Sequence, residues 1–319
     1  MKILLIRFSS AGDILLAAGP VAALKASGHT VYFLAGEKYY GAASALGADE
    51  IITVDFKKKG ALQGLVSSVK KTGFDAVVDL QGNYRSFIVK NSCPGAEVRT
   101  AVKDPVKRRL MAAFKWFISG STYCAVADKY INACSDFIKP GVKTAKKRKK
   151  KGRVLKIAVH AGARWANKRW PYFKELLDSL RLIKGTGIIL TGVKDEVVNS
   201  TELLYYKKSG VINMIGKTDF PALLKVIKNA DVFIGNDTAA AHAASLYGLK
   251  CFVFLGPTVR QFGFITERDF TVIEDVRLLC RPCHIHGGDS CPIGTFDCMK
   301  NLRIAAVTDE IKKLTSRGK

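Results

Sequence analysis

The sequence predicts an α/β protein made of two doubly wound units. Short apolar runs alternate with amphipathic segments, the signature of buried parallel strands joined by helices. The alternation stops at a strongly basic stretch near the middle of the chain and restarts beyond it. At 319 residues and 48% hydrophobic content, the chain is long enough to bury two cores.

The first unit reads as strands at Ile3 to Phe8, Thr30 to Ala35, Ile51 to Val54 and Ala76 to Leu80, with a helix over Asp13 to Lys25. In Lys103 to Ile118, the residues Val106, Leu110, Met111, Phe114, Phe117 and Ile118 share one helical face. Lys103, Lys107, Arg108, Arg109 and Lys115 flank them. Such a helix either packs on the sheet or lies in an anionic bilayer surface. The expectation is a mixture, anchored by packing with its basic side toward a membrane or acidic substrate. Residues 139–156 then carry ten Lys or Arg and no Asp or Glu. Lys146 to Arg153 cannot be buried and reads as a solvated linker. The boundaries follow as a first domain over 1–143, a linker over 144–153 and a second domain over 154–319. In the second domain, strands are expected at Leu155 to His160, Gly187 to Thr191, Val211 to Ile215, Val232 to Ile234 and Cys251 to Leu255. A helix is expected over Tyr172 to Ile183, started by Pro171.

The formal net charge of +24 implies an anionic partner: nucleic acid, an acidic membrane surface or a heavily phosphorylated substrate. No apolar run reaches the ~18 residues of a membrane span. No cleavage-like site follows the apolar start, so a cytoplasmic protein is expected. Of the eight cysteines, Cys93, Cys124, Cys134 and Cys251 are scattered and read as small hydrophobes. Cys280, Cys283, Cys291 and Cys298 cluster with His284 and His286. The C-x-x-C admits a zinc site, but the second pair is seven residues apart, so a disulfide or a reduced turn stay open beside it.

Ligands of such sheets bind beyond the carboxyl ends of the strands. The most informative stretch is Ile234 to His242, where an apolar strand runs into Asn236, Asp237 and Thr238 and then into an alanine-rich helix. A helix start carries unpaired N–H groups and partial positive charge, a seat for phosphate. Asp237 and Thr238 either cap that helix or touch a ligand, and His242 lies one turn in. After the first strand comes Phe8-Ser-Ser-Ala-Gly-Asp13; Asp13 is either a helix cap or a carboxylate able to take a proton from a hydroxyl. Arg85, in Gln81-Gly-Asn-Tyr-Arg-Ser86, is a candidate for an anionic substrate group or a plain surface arginine. The loop His160 to Pro171 gathers several cations and two tryptophans, with Lys168 placed to meet a leaving diphosphate. Glu196, after the next strand, could clasp sugar hydroxyls or serve a helix start. No G-x-G-x-x-G occurs, which disfavours a nicotinamide-linked oxidoreductase.

Taken in order, these loops resemble glycosyltransferase family 9, the ADP-heptose:lipopolysaccharide heptosyltransferases. The landmarks are Ser9 to Asp13, Asp79 to Gly82, His160 to Arg164 with Lys168 to Pro171, Gly235 to Thr238 with His242, and Leu255 to Val259 with Phe262-Gly263. The tail from Cys280 to Met299 looks like the heptosyltransferase II branch. The resemblance implies a GT-B fold of two Rossmann-like domains facing across a cleft, with the donor on the second and the acceptor on the first. It implies Asp13 as general base, Lys168 and Thr238 on the donor diphosphate, and Glu196 on the ribose. Asp237 would contact the donor heptose, with His242 on the same donor-site helix and Arg85 near the acceptor. The family often has glycine at the position of Ala239, and proline at that of Ala161. Ala239 remains a candidate for backbone approach to the phosphate.

The reaction so implied is inverting, metal-independent and without cofactor: heptose passes from ADP-L-glycero-D-manno-heptose to the inner core of lipopolysaccharide. The expected partners are the ADP-heptose donor, a lipid A-core glycolipid acceptor and the anionic cytoplasmic face of the inner membrane, with no nucleic acid. Two alternatives stand beside it: a family 9 transferase using another nucleotide-sugar, and a non-enzymatic polyanion-binding protein. The second leaves the specific loops after each strand unexplained.

Overall fold

The structure, a computed structural model, describes residues 1–115, 124–142, 154–197 and 201–316. The expected linker over 144–153 and the apolar Phe117 and Ile118 lie outside the described residues. The chain forms two compact units: Met1–Asp104 with Cys124–Ala145, and Pro105–Tyr123 with Lys146–Lys319.

The first unit holds β1 (Lys2–Ile6), β2 (Thr30–Gly36), β3 (Glu50–Val54), β4 (Ala76–Asp79) and β5 (Glu97–Thr100). They form one all-parallel sheet in the order β3-β2-β1-β4-β5. Successive side chains of a strand point to opposite faces. Ile3, Leu4, Leu5 and Ile6 are all fully buried, so both faces of β1 are covered. On one face Leu4, Ile6, Leu34 and Val77 pack with Leu65 and Val69 of α4 (Ala61–Thr72) and Val89 of α5 (Tyr84–Lys90).

The helix expected over Asp13 to Lys25 is two helices, α1 (Ala11–Leu15) and α2 (Ala18–Ala26). Pro20 explains the break. It has no N–H to offer the carbonyl four residues back, so it is tolerated only in a first helical turn, where N–H groups lack partners anyway. A helix must therefore start just before it. The third helix is α3 (Tyr40–Ser44), which packs against α1.

The second unit begins with α6 (Pro105–Ala113); α7 (Val126–Asn132) belongs to the first. Its strands are β6 (Leu155–His160), β7 (Thr186–Thr191), β8 (Val211–Asn213), β9 (Val232–Asn236), β10 (Lys250–Phe254) and β11 (Thr271–Ile273). They too are all parallel, ordered β11-β10-β9-β6-β7-β8. One face buries Ile157, Val159, Ile234 and Phe254 against Phe173, Leu176, Leu177 and Leu180 of α8 (Phe173–Leu180). Helix α8 begins two residues after Pro171, which lies in the preceding turn. Trp170 stacks on Phe254 with ring centroids 3.8 Å apart. α10 (Phe220–Lys228) and α11 (Ala239–Leu246) pack together, and α11 also touches β9 and β10.

The single face expected for Lys103 to Ile118 is split. Met111 is buried with Val259, Phe262 and Phe264, and the Arg108 guanidinium lies 4.5 Å from the Phe264 ring. Val106, Leu110 and Phe114, spaced at i, i+4 and i+8, are exposed. Strands β5 and β11 are absent from the sequence reading because they are short edge strands; β5, Glu-Val-Arg-Thr, carries charge at alternate positions. Among the described residues, no helix is long and apolar enough to cross a membrane.

Candidate active site

Each sheet reverses strand order beside its first strand, between β1 and β4 in one unit and between β6 and β9 in the other. A crevice opens at such a switch point, at the carboxyl ends of the strands. Most of the candidate residues sit in the loops after these four strands.

In the first unit, Asp13 is the third residue of α1 and forms a capping box with Ser10. Its Oδ2 accepts from Ser10 Oγ (2.8 Å), from Ser10 N (3.2 Å) and from Arg7 Nη2 (2.9 Å). Burial pushes the carboxyl up, but the Arg7 charge and the Ser10 bonds outweigh it, and the result lies below the ordinary aspartate value. Asp13 is therefore both a cap and an ionised carboxylate. Arg7 is itself buried and donates through Nη1 to Leu80 O (2.8 Å), tying the loop after β1 to the loop after β4. Gln81 Oε1 adds to this tie by accepting from the backbone N–H of Phe8 and Ser9. Asp79 shapes the second loop, accepting from Gln81 N, Gly82 N and Ser86 Oγ. Arg85 is exposed, with its guanidinium 4.4 Å from the Phe56 ring, which meets Phe8 edge-on.

In the second unit, Lys168 closes a short 3₁₀ turn (Ala166–Lys168) and is buried. Its Nζ donates to Asp237 Oδ2 at 2.5 Å and to Asp237 O at 3.5 Å. Thr258 Oγ1 donates to the same Oδ2 at 3.1 Å. Burial pushes the Asp237 carboxyl up, and the charge of Lys168 then holds it below its ordinary range. Thr238 occupies the N-cap position of α11, yet its side chain does not cap. Its Oγ1 is buried and makes no hydrogen bond. A buried hydroxyl without a partner is costly, and this one stands at a helix N-terminus, where backbone N–H groups favour anions. Ala239 is the first residue of α11, and its backbone shares that N-terminus. His242, one turn in, is buried with its ring 6.0 Å from that of Phe270.

Glu196 ends a 3₁₀ turn (Lys194–Glu196) after β7. Burial raises its pKa, against the pull of Arg169 and Arg164. A Cβ on Gly162 would meet Glu196 Cβ and the backbone of Val193 at 3.4 Å, so the glycine brings the loops after β6 and β7 together. His160 ends β6, bonded through Nδ1 to Thr191 Oγ1. Burial lowers its pKa to about 4, so it is a neutral structural residue.

The structure gives roles to residues for which the sequence offered none. Asn236 is fully buried: Nδ2 donates to Ala161 O and Gly162 O, and Oδ1 accepts from Trp170 N. It clips the loops of the switch point together. Arg281, also buried, donates to the carbonyls of Leu255, Gly256, Thr258 and Asp275 and pairs with Glu274. It thereby fixes the loop that carries Thr258. The cysteine-rich tail braces the Lys168 turn as well. Asn167 exchanges bonds with Gly288 N and O, and its Nδ2 reaches Ser290 O. All eight cysteines are free thiols. Among the described residues, no group of three or more His, Cys, Asp or Glu is arranged to hold a metal ion. Arg7, at the polar end of an apolar strand, carried a weak signal in the sequence. Arg281 carried none, since nothing in Cys-Arg-Pro-Cys says that the guanidinium is buried.

The model for glycosyltransferase family 9 (heptosyltransferase) matches residues 63–262. The lipooligosaccharide heptosyltransferase 2 of Campylobacter jejuni subsp. jejuni is 28% identical over 167 residues, 50% of this chain and 51% of that protein. The chain thus spans about half the length of that curated relative. Among solved structures, Escherichia coli ADP-heptose LPS heptosyltransferase II aligns with a TM-score of 0.72 at 17% identity, over 99% of both chains. An E. coli heptosyltransferase with ADP-2-deoxy-2-fluoro heptose aligns with a TM-score of 0.68 at 15% identity, over 98% of this chain and 100% of that one. These likenesses are of fold, the GT-B architecture with its two Rossmann-like units. With the family match covering more than half of its length, the chain belongs to glycosyltransferase family 9.

Proposed function

We propose that this chain is an inverting glycosyltransferase that moves heptose from ADP-L-glycero-D-manno-heptose onto a sugar hydroxyl of the lipopolysaccharide inner core. The observation that carries the reading is the set of groups at the switch point of the second unit. A buried lysine, a buried hydroxyl without a partner and a helix N-terminus together suit a diphosphate that gathers negative charge as it leaves. The relatives named above are heptosyltransferases, and one was solved with an ADP-heptose analogue.

In this reading Asp13 removes the proton from the attacking hydroxyl, and ADP departs from the opposite face of the sugar. Lys168, Thr238 and the backbone at Ala239 hold the diphosphate. Asp237, turned toward Lys168, contacts the heptose; Glu196 takes the ribose hydroxyls; His242 backs the donor-site helix; Arg85 meets the acceptor. Lys168 and the α11 N-terminus meet the leaving charge, so the reaction is proposed to run without a catalytic metal.

The test of donor class is protection against thermal unfolding by a panel of ADP- and UDP-sugars in the presence of EDTA. Binding to the folded state stabilises by RT ln(1 + [L]/Kd), about 2.7 kcal/mol at a hundredfold excess over Kd. ADP-heptose is expected to protect most. Stronger protection by a UDP-sugar would assign the chain to another donor within the family.

The acceptor is a membrane glycolipid in this proposal, and the outer face of α6 suits an anionic bilayer surface. Val106 is exposed on it and Phe114 just past its end, with the exposed Lys107 and Arg109 alongside. Co-sedimentation with phosphatidylglycerol vesicles is expected to fall at least fivefold in a Val106→Glu/Phe114→Glu variant. Equal sedimentation of variant and parent would remove α6 from the membrane contact.

A further inference from the structure

The three donors to Asp13 all reach one oxygen, Oδ2. Among the described residues none reaches Oδ1. The strongest of the three donors, Arg7, is itself held from several sides. It follows β1 directly, its Nη1 is bonded to Leu80 O, and its guanidinium lies 5.8 Å from the Tyr130 ring of α7. Its side chain is only 8% exposed. It has the geometry of a clamp, with one nitrogen on the backbone after β4 and another on the carboxylate after β1.

We infer that Arg7 is the positioning residue of the acceptor-side carboxylate: it locks Asp13 through Oδ2 and leaves Oδ1 as the oxygen that takes the acceptor proton. This rests on the reading of Asp13 as general base. The step moves one proton from the acceptor hydroxyl to Oδ1 as the new carbon–oxygen bond forms at the anomeric carbon and the bond from that carbon to the diphosphate oxygen breaks, its electron pair leaving on ADP. A planar guanidinium can bond two acceptors in fixed directions at once; a lysine ammonium supplies the charge without the fork. The Arg7 charge acts on Asp13, and Ser10 adds neutral donors. The neighbouring α3 brings Tyr40 as its only ionisable side chain.

The test is the pH dependence of kcat/KM in Arg7→Met, Arg7→Lys and Ser10→Ala, with ADP-heptose and heptose-deficient core glycolipid. Removing the cation raises the pKa of Asp13, so the acid limb of the profile is expected to move to higher pH. The order expected is Arg7→Met furthest, then Arg7→Lys, then Ser10→Ala. At neutral pH the carboxylate remains ionised, so the remaining loss is one of orientation. There kcat is expected to fall about 10- to 100-fold in Arg7→Met, with Arg7→Lys recovering part of it, since small misplacements of a reacting group cost up to ~10²-fold. The KM for the donor should not change. Ser10→Ala removes one side-chain hydroxyl and leaves the fold intact, so a failure of Arg7→Met to fold does not end the test. An acid limb that stays in place in both Ser10→Ala and Arg7→Lys, with parental kcat, would overturn the inference. Full activity in Asp13→Asn would instead overturn the general-base reading beneath it.

Discussion

Replacing Asp13 by asparagine is expected to lower turnover about 10²- to 10⁴-fold, the usual contribution of a positioned general base. Asparagine keeps the shape of the carboxylate and can still accept from Arg7 and Ser10, but it cannot take up a proton. The choice of substitution matters because Arg7 is buried against Asp13. Both substitutions remove the counter-charge of that guanidinium, but alanine also removes its hydrogen-bond acceptor, whereas asparagine keeps an oxygen for it. A folded but inactive Asp13→Asn protein separates catalysis from stability. ADP should still protect it against thermal unfolding, since the proposed nucleotide groups all belong to the second unit. The sign of the pH effect follows from the lowered pKa of Asp13. The carboxylate works only when ionised, so turnover persists below the ordinary aspartate value and fails as pH falls through the depressed one. Strong residual transfer by Asp13→Asn would remove it from the chemistry.

Replacing Lys168 by alanine is expected to cost about 10²- to 10³-fold in kcat, the typical loss when one donor to a developing negative charge is removed. Affinity for ADP should fall with it. A confounding effect is visible in the structure. Lys168 neutralises Asp237, whose Oδ2 would otherwise be buried with Thr258 as its remaining donor. The double variant Lys168→Ala/Asp237→Asn removes that stranded charge. If the loss comes from a destabilised Asp237, the double variant recovers folding and turns over as fast as Asp237→Asn alone. If it comes from the missing cation on the diphosphate, folding recovers and the rate stays well below that of Asp237→Asn alone. The second outcome is the one expected.

Much of the fold could be read from the sequence because parallel strands buried on both faces are nearly pure apolar runs. Leu155 to His160 was bounded correctly for this reason, and the strand leading to Asn236 was found two residues short. The edge strands β5 and β11 had no such run to announce them. The Asp13 to Lys25 helix was drawn through Pro20 because apolar content continues across the break, although the proline itself carried the signal. Helix α6 was assigned one apolar face because periodicity gives the stripe but not what covers it. Met111 and Phe114, neighbours at i and i+3, went to opposite environments.

The residues proposed for the site are legible where a residue type follows a strand end, as at Asp13, Lys168 and Asp237. The groups that position those residues were not. Arg7, Asn236 and Arg281 act through bonds to backbone carbonyls far away in sequence, such as Leu80, Ala161 and Leu255. No local spacing encodes such partners; they emerge only when the strand order places two loops side by side.

The product of a single incubation decides whether the chain transfers heptose and whether Asp13 is needed for it. The full chain, ADP-heptose and heptose-deficient core glycolipid are combined with EDTA present, and the glycolipid is weighed by mass spectrometry beside an Asp13→Asn control. Addition of one heptose with equimolar ADP release, absent in the control, is the predicted result. An unchanged glycolipid with the parent protein, or equal transfer by the control, would contradict it.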